Sequence, residues 1–323
     1  MNGVIINYLF IERKLKNMTN QEVIDFIREY GESREWSAST FKLYLTTLNT
    51  LIKTTDKRIT ELMPIDMNRY FKNRKDNGTV KTANTDLRVL KAIFNILEDN
   101  EIVERNVVAK IKPFPDNTEK RVDDYLTVPE IRKVLRIAKK EATPNEKNKY
   151  KVNPNARATY IYLLMLFYTG LRCMECANLK PENVKYLEEE QVIEINIPKT
   201  KNGKSFTTYI VKQDVVSEVK TWIDNTADKQ YLFENRNGTP IFKSEGCYSV
   251  QNIFKRLIKK AEIERKITTH ATRKSFATTL RDADVNIIDI EQLLNHSVKS
   301  LGASTYARQT KEAKIKILKK LRY

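Results

Sequence analysis

The segment 112-KPFPDNTEKRVDD-124 constrains the fold of this chain more than any other feature. It carries two prolines and a run of charges without periodicity, whereas the sequence on either side is periodic. Such a break is typical of an interdomain linker. The chain has 323 residues, and a single hydrophobic core seldom grows beyond about 250–300 residues. We therefore predict two domains, 18–111 and 125–323, joined by a linker at 112–124 and preceded by an N-terminal extension, 1–17.

The first domain is predicted to be entirely helical. Four segments carry apolar residues at helical spacing. Expected capping residues stand before the first two of them, Thr19 before the first and either Ser37 or Ser39 before the second. Four helices in roughly 80 residues form a small all-α domain. The segments are 20–31, 37–53, 66–76 and 80–99.

The second domain is predicted to be α+β. The stretch 158-ATYIYLLMLFYTG-170 is apolar nearly all round, which indicates a buried helix. The segments 191-QVIEINI-197 and 206-FTTYIV-211 alternate in polarity and flank Asn202-Gly203, a strong signal for a tight hairpin turn. Helical patterns follow, so the chain is mainly α with a small antiparallel β-sheet. These helices are expected at about 249–262, 270–282 and 286–294, and a further helix is expected before the strands, from 128.

The charge of the chain indicates a polyanionic partner. Its net charge is +17. The partner of so basic a protein is most often a nucleic acid, although charge alone does not distinguish DNA from RNA or from an anionic membrane. No apolar run is long enough to span a bilayer, and in 1–17 the basic residues follow the apolar run, unlike a signal peptide. Three cysteines leave no disulfide framework, which fits a reducing cytoplasm.

Cys173 and Cys176 form a C-x-x-C pair, which in other proteins binds zinc or acts in redox chemistry. Zinc needs about four ligands, and only Cys247 and two distant histidines could complete a set. A redox pair would need a βαβ context that the pattern does not show. We predict that the pair packs as small apolar residues.

Six polar residues of the second half form a set that suits phosphoryl transfer at a phosphodiester. Two guanidiniums can clamp the non-bridging oxygens, an ammonium can protonate a leaving alkoxide, and a phenol can attack phosphorus. Because no Asp or Glu belongs to the set, it argues against a two-metal nuclease, and we expect neither a metal nor a cofactor. The residues are Arg172, Lys201, His270, Arg273, His296 and Tyr306.

These segments resemble the tyrosine recombinase/integrase family, which includes the Xer recombinases and the phage integrases. The catalytic half carries 169-TGLRCMECANL-179, 270-HATR-273 and 293-LLNHSVKSLGASTY-306, in the order and spacing of the boxes of that family. In the first half, 38-ASTFKLYLTTLNTL-51 and 59-ITELMPIDM-67 resemble its core-binding domain. The resemblance implies a SAM-like all-α core-binding domain that binds DNA and an α+β catalytic domain. It also implies a site-specific recombinase that cleaves and rejoins DNA through a covalent 3′-phosphotyrosyl intermediate.

The resemblance assigns a role to each member of the set. Tyr306 would be the nucleophile, and Arg172 and Arg273 would hold the scissile phosphate. His270 would hydrogen-bond the phosphate and accept the proton of the tyrosine. His296 would donate to a non-bridging oxygen.

Two further roles follow from the resemblance. Lys201 would protonate the 5′-oxygen. Lys199 and Lys204 remain alternatives, because neighbouring residues of a hairpin face opposite sides. Glu175, three residues after the arginine of its box, would support the site by holding an arginine or a histidine, and a plain structural ion pair is the alternative.

The sequence departs from the family pattern at two places. Asn295 stands where the family usually has glycine before the second histidine. Asparagine tolerates left-handed backbone better than most residues, so we expect the turn to survive. The interval from His296 to Tyr306 is one residue longer than the commonest spacing, which bears on the pose of Tyr306.

By resemblance, the partner is double-stranded DNA at a specific recombination site, bound by a homotetramer on two sites in the prokaryotic cytoplasm, at the nucleoid. Two other functions share these features. One is a catalytically degenerate DNA-binding or architectural protein, and the other is a relaxing enzyme of the type IB topoisomerase kind. Neither the DNA site nor the choice between viral or plasmid integration and chromosome-dimer resolution follows from the sequence.

Overall fold

The structure, a computed structural model, divides the chain into two compact units, Met1–Lys120 and Arg121–Tyr323. The division falls inside the segment 112–124. The residues that the structure describes are 18–117, 124–143, 155–198, 205–242, 248–296 and 309–323.

The described part of the first unit is a bundle of helices, as the sequence predicts. Thr19, Ser37 and Thr79 each cap a helix by accepting a backbone N–H. The third helix begins at Pro64, two residues earlier than predicted, and Asp66 accepts the N–H of Met63. The helices are α1 (Asn20–Ser33), α2 (Ala38–Thr55), α3 (Pro64–Asp76) and α4 (Val80–Asp99).

The second unit combines helices with one small sheet, which confirms the predicted fold class. Among the described helices, none is both long and apolar enough to cross a membrane. The helices are α5 (Val128–Ala142), α6 (Ala156–Thr169), α7 (Cys173–Ala177), α8 (Gln213–Asp224), α9 (Tyr248–Lys260), α10 (His270–Arg281), α11 (Ile287–Leu293) and α12 (Lys311–Leu318). The strands are β1 (Val184–Leu187), β2 (Val192–Ile197) and β3 (Phe206–Ile210).

The sheet is antiparallel, in the order β1-β2-β3. Strands β2 and β3 pair as predicted, with Ile195 opposite Thr208. Strand β1 and helix α8 were not predicted. Strand β1 has only four residues, too few to establish an alternating pattern. The predicted turn at Asn202-Gly203 lies outside the described residues.

Helix α6 forms the centre of the second unit, and the prediction of a buried helix is confirmed. Of its residues, all except Arg157 are buried. Helices α5, α8 and α10 and strand β3 pack around it. Because apolar neighbours surround it, a helix without a polar face is stable here.

The C-x-x-C pair packs in the core, as predicted. Cys176 is fully buried, which raises the pKa of its thiol well above the usual range. Cys173 is half-buried against the same apolar cluster. The described residues contain no group of three His, Cys, Asp or Glu that could hold a metal ion. Cys247 lies outside them.

Candidate active site

Arg273 on helix α10 is a buried guanidinium that is held by backbone carbonyls. Only 3% of the surface of this residue is exposed to solvent. Its Nη1 donates to the carbonyl oxygen of Gly170 at 2.7 Å, and its Nη2 donates to that of Leu294. Among the described residues, no carboxylate forms an ion pair with it. These two hydrogen bonds join segments that lie 103 and 21 residues away along the chain.

The environment of Arg273 disfavours its charge. Burial, followed by the nearby cation of Arg172, lowers the pKa of Arg273 to about 10. Because the folded-state pKa of a base is depressed, the charged form costs folding free energy at every pH below about 10, on the order of 3 kcal/mol. An anion placed against Arg273 would offset this cost.

Arg172 lies at the start of helix α7 and is fastened to Glu175. Its Nη1 is 2.7 Å from Oε1 of Glu175, and its backbone N–H donates to Oε2 at 2.9 Å. The Glu175 side chain is 8% exposed, whereas that of Arg172 is 35% exposed. The carboxylate therefore fixes one side of the guanidinium and leaves part of it open to solvent.

Gly170 forms the turn at which the segments of the site meet. It closes helix α6 in the left-handed conformation, with φ +65°. A Cβ at this position would stand 2.7 Å from Cδ1 of Phe276 and 2.8 Å from Cδ2 of Leu294. Only glycine fits both the conformation and the space. Its carbonyl oxygen also accepts the hydrogen bond from Nη1 of Arg273, and Arg172 lies two residues further along the chain.

We expect Gly170→Ala to destabilise the protein. The left-handed conformation costs a Cβ-bearing residue about 1–2 kcal/mol, and overpacking against the two neighbours adds about 1–3 kcal/mol. Gly238→Ala is the matched control, because Gly238 also has positive φ, +73°, but open space around its Cβ position. Denaturant unfolding should show the larger loss for Gly170→Ala. Equal losses would contradict the packing argument.

His270 is the first residue of helix α10 and has an exposed side chain. Desolvation lowers the pKa of His270, and the cations Lys274, Arg273 and Arg172 lower it further. Asp124, which pairs with Lys274, opposes this in part. The lowered pKa favours the neutral imidazole of His270, which is the form that accepts a proton.

The turn that carries His296 keeps its shape without glycine. Asn295 takes the left-handed conformation, with φ +49°, which confirms the prediction for this departure. The N–H of Asn295 donates to the carbonyl of Gln292 at 3.0 Å, and that of His296 donates to the carbonyl of Glu291 at 2.9 Å. This double closure of helix α11 is a Schellman motif, in which asparagine is the common substitute for glycine.

Glu291 is a residue of the site that sequence reasoning missed. Its Oε2 is 3.1 Å from Nδ1 of His296. Its charge also acts on Arg273. The contact could have been predicted from the turn expected at Asn295, because a Schellman motif brings together the side chains at its first and last positions. Here these positions hold a carboxylate and an imidazole rather than two apolar residues.

We expect Glu291→Gln to lower DNA cleavage by about tenfold, a typical effect for a partner that orients a functional histidine. The carboxylate favours a proton on Nδ1 of His296, and the amide favours it less. With only two histidines in the chain, ¹⁵N-histidine NMR resolves each ring. The nitrogen shifts of His296 should change and those of His270 should not. Unchanged His296 shifts would contradict a positioning role.

The structure brings five of the seven residues proposed from sequence into one region. The other two, Tyr306 and Lys201, lie outside the described part of the chain. Lys199 and Lys204, the alternatives to Lys201, lie outside it as well. The residues that are brought together are Arg172, Glu175, His270, Arg273 and His296.

The fold is that of solved tyrosine recombinases. A lambda integrase dimer bound to a COC′ core site matches with a TM-score of 0.66, at 15% identity, over 91% of this chain and 99% of that one. The XerH site-specific recombinase bound to its difH substrate matches with a TM-score of 0.64, at 16% identity, over 94% and 82% of the two chains. At these identities the two matches establish the fold of the chain.

Sequence comparison gives the family. The chain belongs to the phage integrase family, whose model matches residues 125–313. A tyrosine recombinase of Thermosipho africanus is 24% identical over 307 residues, covering 93% of this chain and 99% of that protein. Tyrosine recombinase XerA of Pyrococcus furiosus is 27% identical over 298 residues, covering 90% and 92%.

Proposed function

We propose that this recombinase breaks and rejoins DNA strands at a specific site, with Tyr306 as the nucleophile and the Arg172–Arg273 pair as the phosphate clamp. The observation that carries the proposal is the state of Arg273. It is a buried cation, beside a second cation, with no carboxylate partner among the described residues. Such an arrangement is costly unless an anion completes it.

The guanidinium of Arg273 keeps N–H donors available for a phosphate. A guanidinium has five N–H groups. Two of those of Arg273 bond to carbonyls, and the others have no partner among the described residues. These carbonyl contacts orient the guanidinium in advance, and Arg172 is oriented by Glu175. Forked donors placed in this way stabilise the negative charge that grows on the non-bridging oxygens in the transition state.

The proton transfers are assigned as follows. The phenolic oxygen of Tyr306 attacks phosphorus, and the bond to the 5′-oxygen breaks. His270, whose lowered pKa favours the neutral ring, takes the phenolic proton, and Lys201 gives a proton to the leaving 5′-oxygen. Rejoining reverses each step. Since the phosphotyrosyl link retains the energy of the phosphodiester, the reaction needs neither ATP nor a cofactor.

His296 is assigned a donor role toward a non-bridging oxygen. Glu291 holds Nδ1 of this ring, which leaves Nε2 for the phosphate. The lowered pKa of His270 and the glutamate contact of His296 set the two histidines apart: one accepts a proton and the other donates a hydrogen bond.

The partner is double-stranded DNA at a specific recombination site, and the active assembly is a homotetramer on two sites. The solved relatives include DNA-bound dimers and a lambda integrase tetramer on a Holliday junction. A net charge of +17 supports binding to phosphates. The helical unit, 18–111, is assigned to DNA binding, and the protein is assigned to the prokaryotic cytoplasm, at the nucleoid.

A covalent-trapping experiment tests the proposal. A randomised duplex library with a 5′-bridging phosphorothioate at one position offers candidate sites, and the 5′-thiol that is released rejoins poorly, so the adduct accumulates. We expect a protein–DNA adduct that survives denaturation and maps to Tyr306 by mass spectrometry. Binding without any adduct would support a degenerate DNA-binding protein instead. Relaxation of supercoiled plasmids that lack a site would support a type IB relaxing enzyme.

A further inference from the structure

The end of the predicted linker is fastened to helix α10 of the second unit. The backbone N–H of Leu126 donates to Oγ of Ser275 at 2.7 Å, and Ser275 is completely buried. The carboxylate of Asp124, the last residue of the predicted linker, forms an ion pair with the ammonium of Lys274. Residues 124–126 are therefore held against helix α10.

Arg265, which precedes helix α10, holds the same stretch by further contacts. Its guanidinium donates to the carbonyl oxygen of Tyr125 at 3.0 Å and to the two carboxylate oxygens of Glu130, at 2.7 and 2.6 Å. The anchoring of the linker end thus does not depend on the ion pair of Asp124 with Lys274, whose side chains are 35% and 42% exposed. Because so exposed a pair stabilises a fold little, the placement of its charges matters more than its contribution to stability.

Lys274 is placed to act on His270. The two residues are four positions apart on helix α10, so their side chains share one face of the helix. After desolvation, the cation of Lys274 is the largest cause that lowers the pKa of His270, ahead of Arg273. Arg172, at the start of helix α7, lowers this pKa as well, and Asp124 raises it. Charges from helix α10, from helix α7 and from the linker end therefore act on one ring.

A bound phosphate changes the balance among these charges. Under the proposed function it lies against Arg172 and Arg273, and its negative charge offsets theirs. It also favours a proton on His270. Glu291 of helix α11, which packs on α10, acts on Arg273 with the same sign. Lys274 is not assigned to the phosphate clamp, so its cation still disfavours protonation of the ring when DNA is bound. The base needs this protection, because only a neutral ring accepts the proton of the tyrosine.

We propose that Lys274 and Asp124 are positioning residues for strand cleavage: Lys274 keeps the ring of His270 free of a proton beside the bound phosphate, and Asp124 holds the ammonium and limits its effect. The inference rests on the proposed function, because it takes His270 as the base. It also gives the linker end a role in the reaction, since Asp124 meets Lys274 only where 124–126 are held against helix α10.

The first test does not require cleavage. ¹⁵N-histidine NMR of the DNA-free protein follows the titration of His270. Lys274→Met removes the cation and keeps the aliphatic stem, so the midpoint of the titration should move to higher pH. Asp124→Asn removes the opposing carboxylate, so the midpoint should move to lower pH. A general loosening of the structure would not move the two variants in opposite directions.

The second test is the pH profile of single-turnover cleavage. With a 5′-bridging phosphorothioate, the leaving thiolate needs no proton from Lys201, so the acidic limb reports the base. Below the midpoint, Lys274→Met should cleave about threefold more slowly than the wild type and Asp124→Asn about threefold faster, the size expected for charges this exposed. Above the midpoint the rates should converge, because the ring of His270 is then neutral in every variant. A merely structural defect would lower the rate at every pH.

Two further variants are controls. Lys274→Arg keeps the cation and its pairing with Asp124, so it should keep the wild-type midpoint. Lys133→Met is the matched control, because Lys133 on helix α5 also forms an ion pair, with Glu262 at 2.7 Å, and has a side chain that is 44% exposed. It removes the same charge and should leave both pH dependences unchanged. Thermal unfolding checks that each variant is folded.

The proposal is wrong if Lys274→Met and Asp124→Asn move the NMR midpoint of His270 in the same direction or leave it unchanged. It is also wrong if the NMR midpoint moves and the acidic limb of cleavage does not, because the pair would then act on a ring that is not the base. If no variant forms an adduct, the wild type included, the proposed function fails and the role in cleavage fails with it. The NMR midpoints still show in that case whether the pair controls the ring.

Discussion

A Tyr306→Phe variant is expected to bind recombination-site DNA normally and to form no covalent adduct. Phenylalanine keeps the ring but lacks the oxygen that would attack phosphorus. Removing the nucleophile of a covalent mechanism costs on the order of 10⁶ in rate. Affinity should change little, since it is spread over many phosphate contacts. Denaturing gels measure the adduct, and gel shifts measure binding.

Tyr186→Phe is the matched control for this change. Tyr186 lies on strand β1 of the same unit, and Lys220 stands over its ring at 4.1 Å, a contact that phenylalanine preserves. This variant should cleave like the wild type. An adduct formed by Tyr306→Phe would show that another tyrosine is the nucleophile and would remove the assignment made from sequence.

An Arg273→Lys variant is expected to lose cleavage by about 10²–10³-fold, the usual effect of removing one preorganised donor from a site of charge development. Lysine keeps the positive charge but not the fork that reaches the carbonyls of Gly170 and Leu294 while still presenting donors to an anion. Single-turnover cleavage measures the effect. Site binding should be retained.

The control for Arg273→Lys is Arg281→Lys on the same helix. Arg281 has a side chain that is 65% exposed and pairs with Asp282, so its replacement should leave cleavage unchanged. Thermal unfolding separates catalysis from folding, because Arg273 also links two segments. Parallel loss of binding, stability and cleavage in Arg273→Lys would count against a specific role at the phosphate.

Local patterns account for the parts of the fold that were predicted. Helix α6 was predicted because a segment that is apolar on every side is typical of a buried helix. The capped helices of the first unit were predicted because nearby residues set their boundaries. Strand β1 and helix α8 were missed. A strand of four residues carries too little pattern, and its place in the sheet depends on pairing with β2.

The candidate site shows the same limit. The boxes around Arg172, Arg273 and His296 were identified by their resemblance to those of the tyrosine recombinase/integrase family. Glu291 was missed, because its contact with His296 depends on how helix α11 ends in space. The carbonyl partners of Arg273 could not be predicted either, because every residue has a backbone carbonyl and the sequence does not show which of them lies near a given side chain.

The sequence by itself determined the helical character of both units, the residue types of the site and the tolerance of Asn295 for a left-handed turn, since each of these depends on neighbours within a few positions. The tertiary structure alone decided that Arg273 is buried between the ends of helices α6 and α11, close to Arg172 and without an ion-paired carboxylate among the described residues. The hydrogen bonds that hold it there join residues up to 103 positions apart. Its lowered pKa comes from the packing that those contacts create.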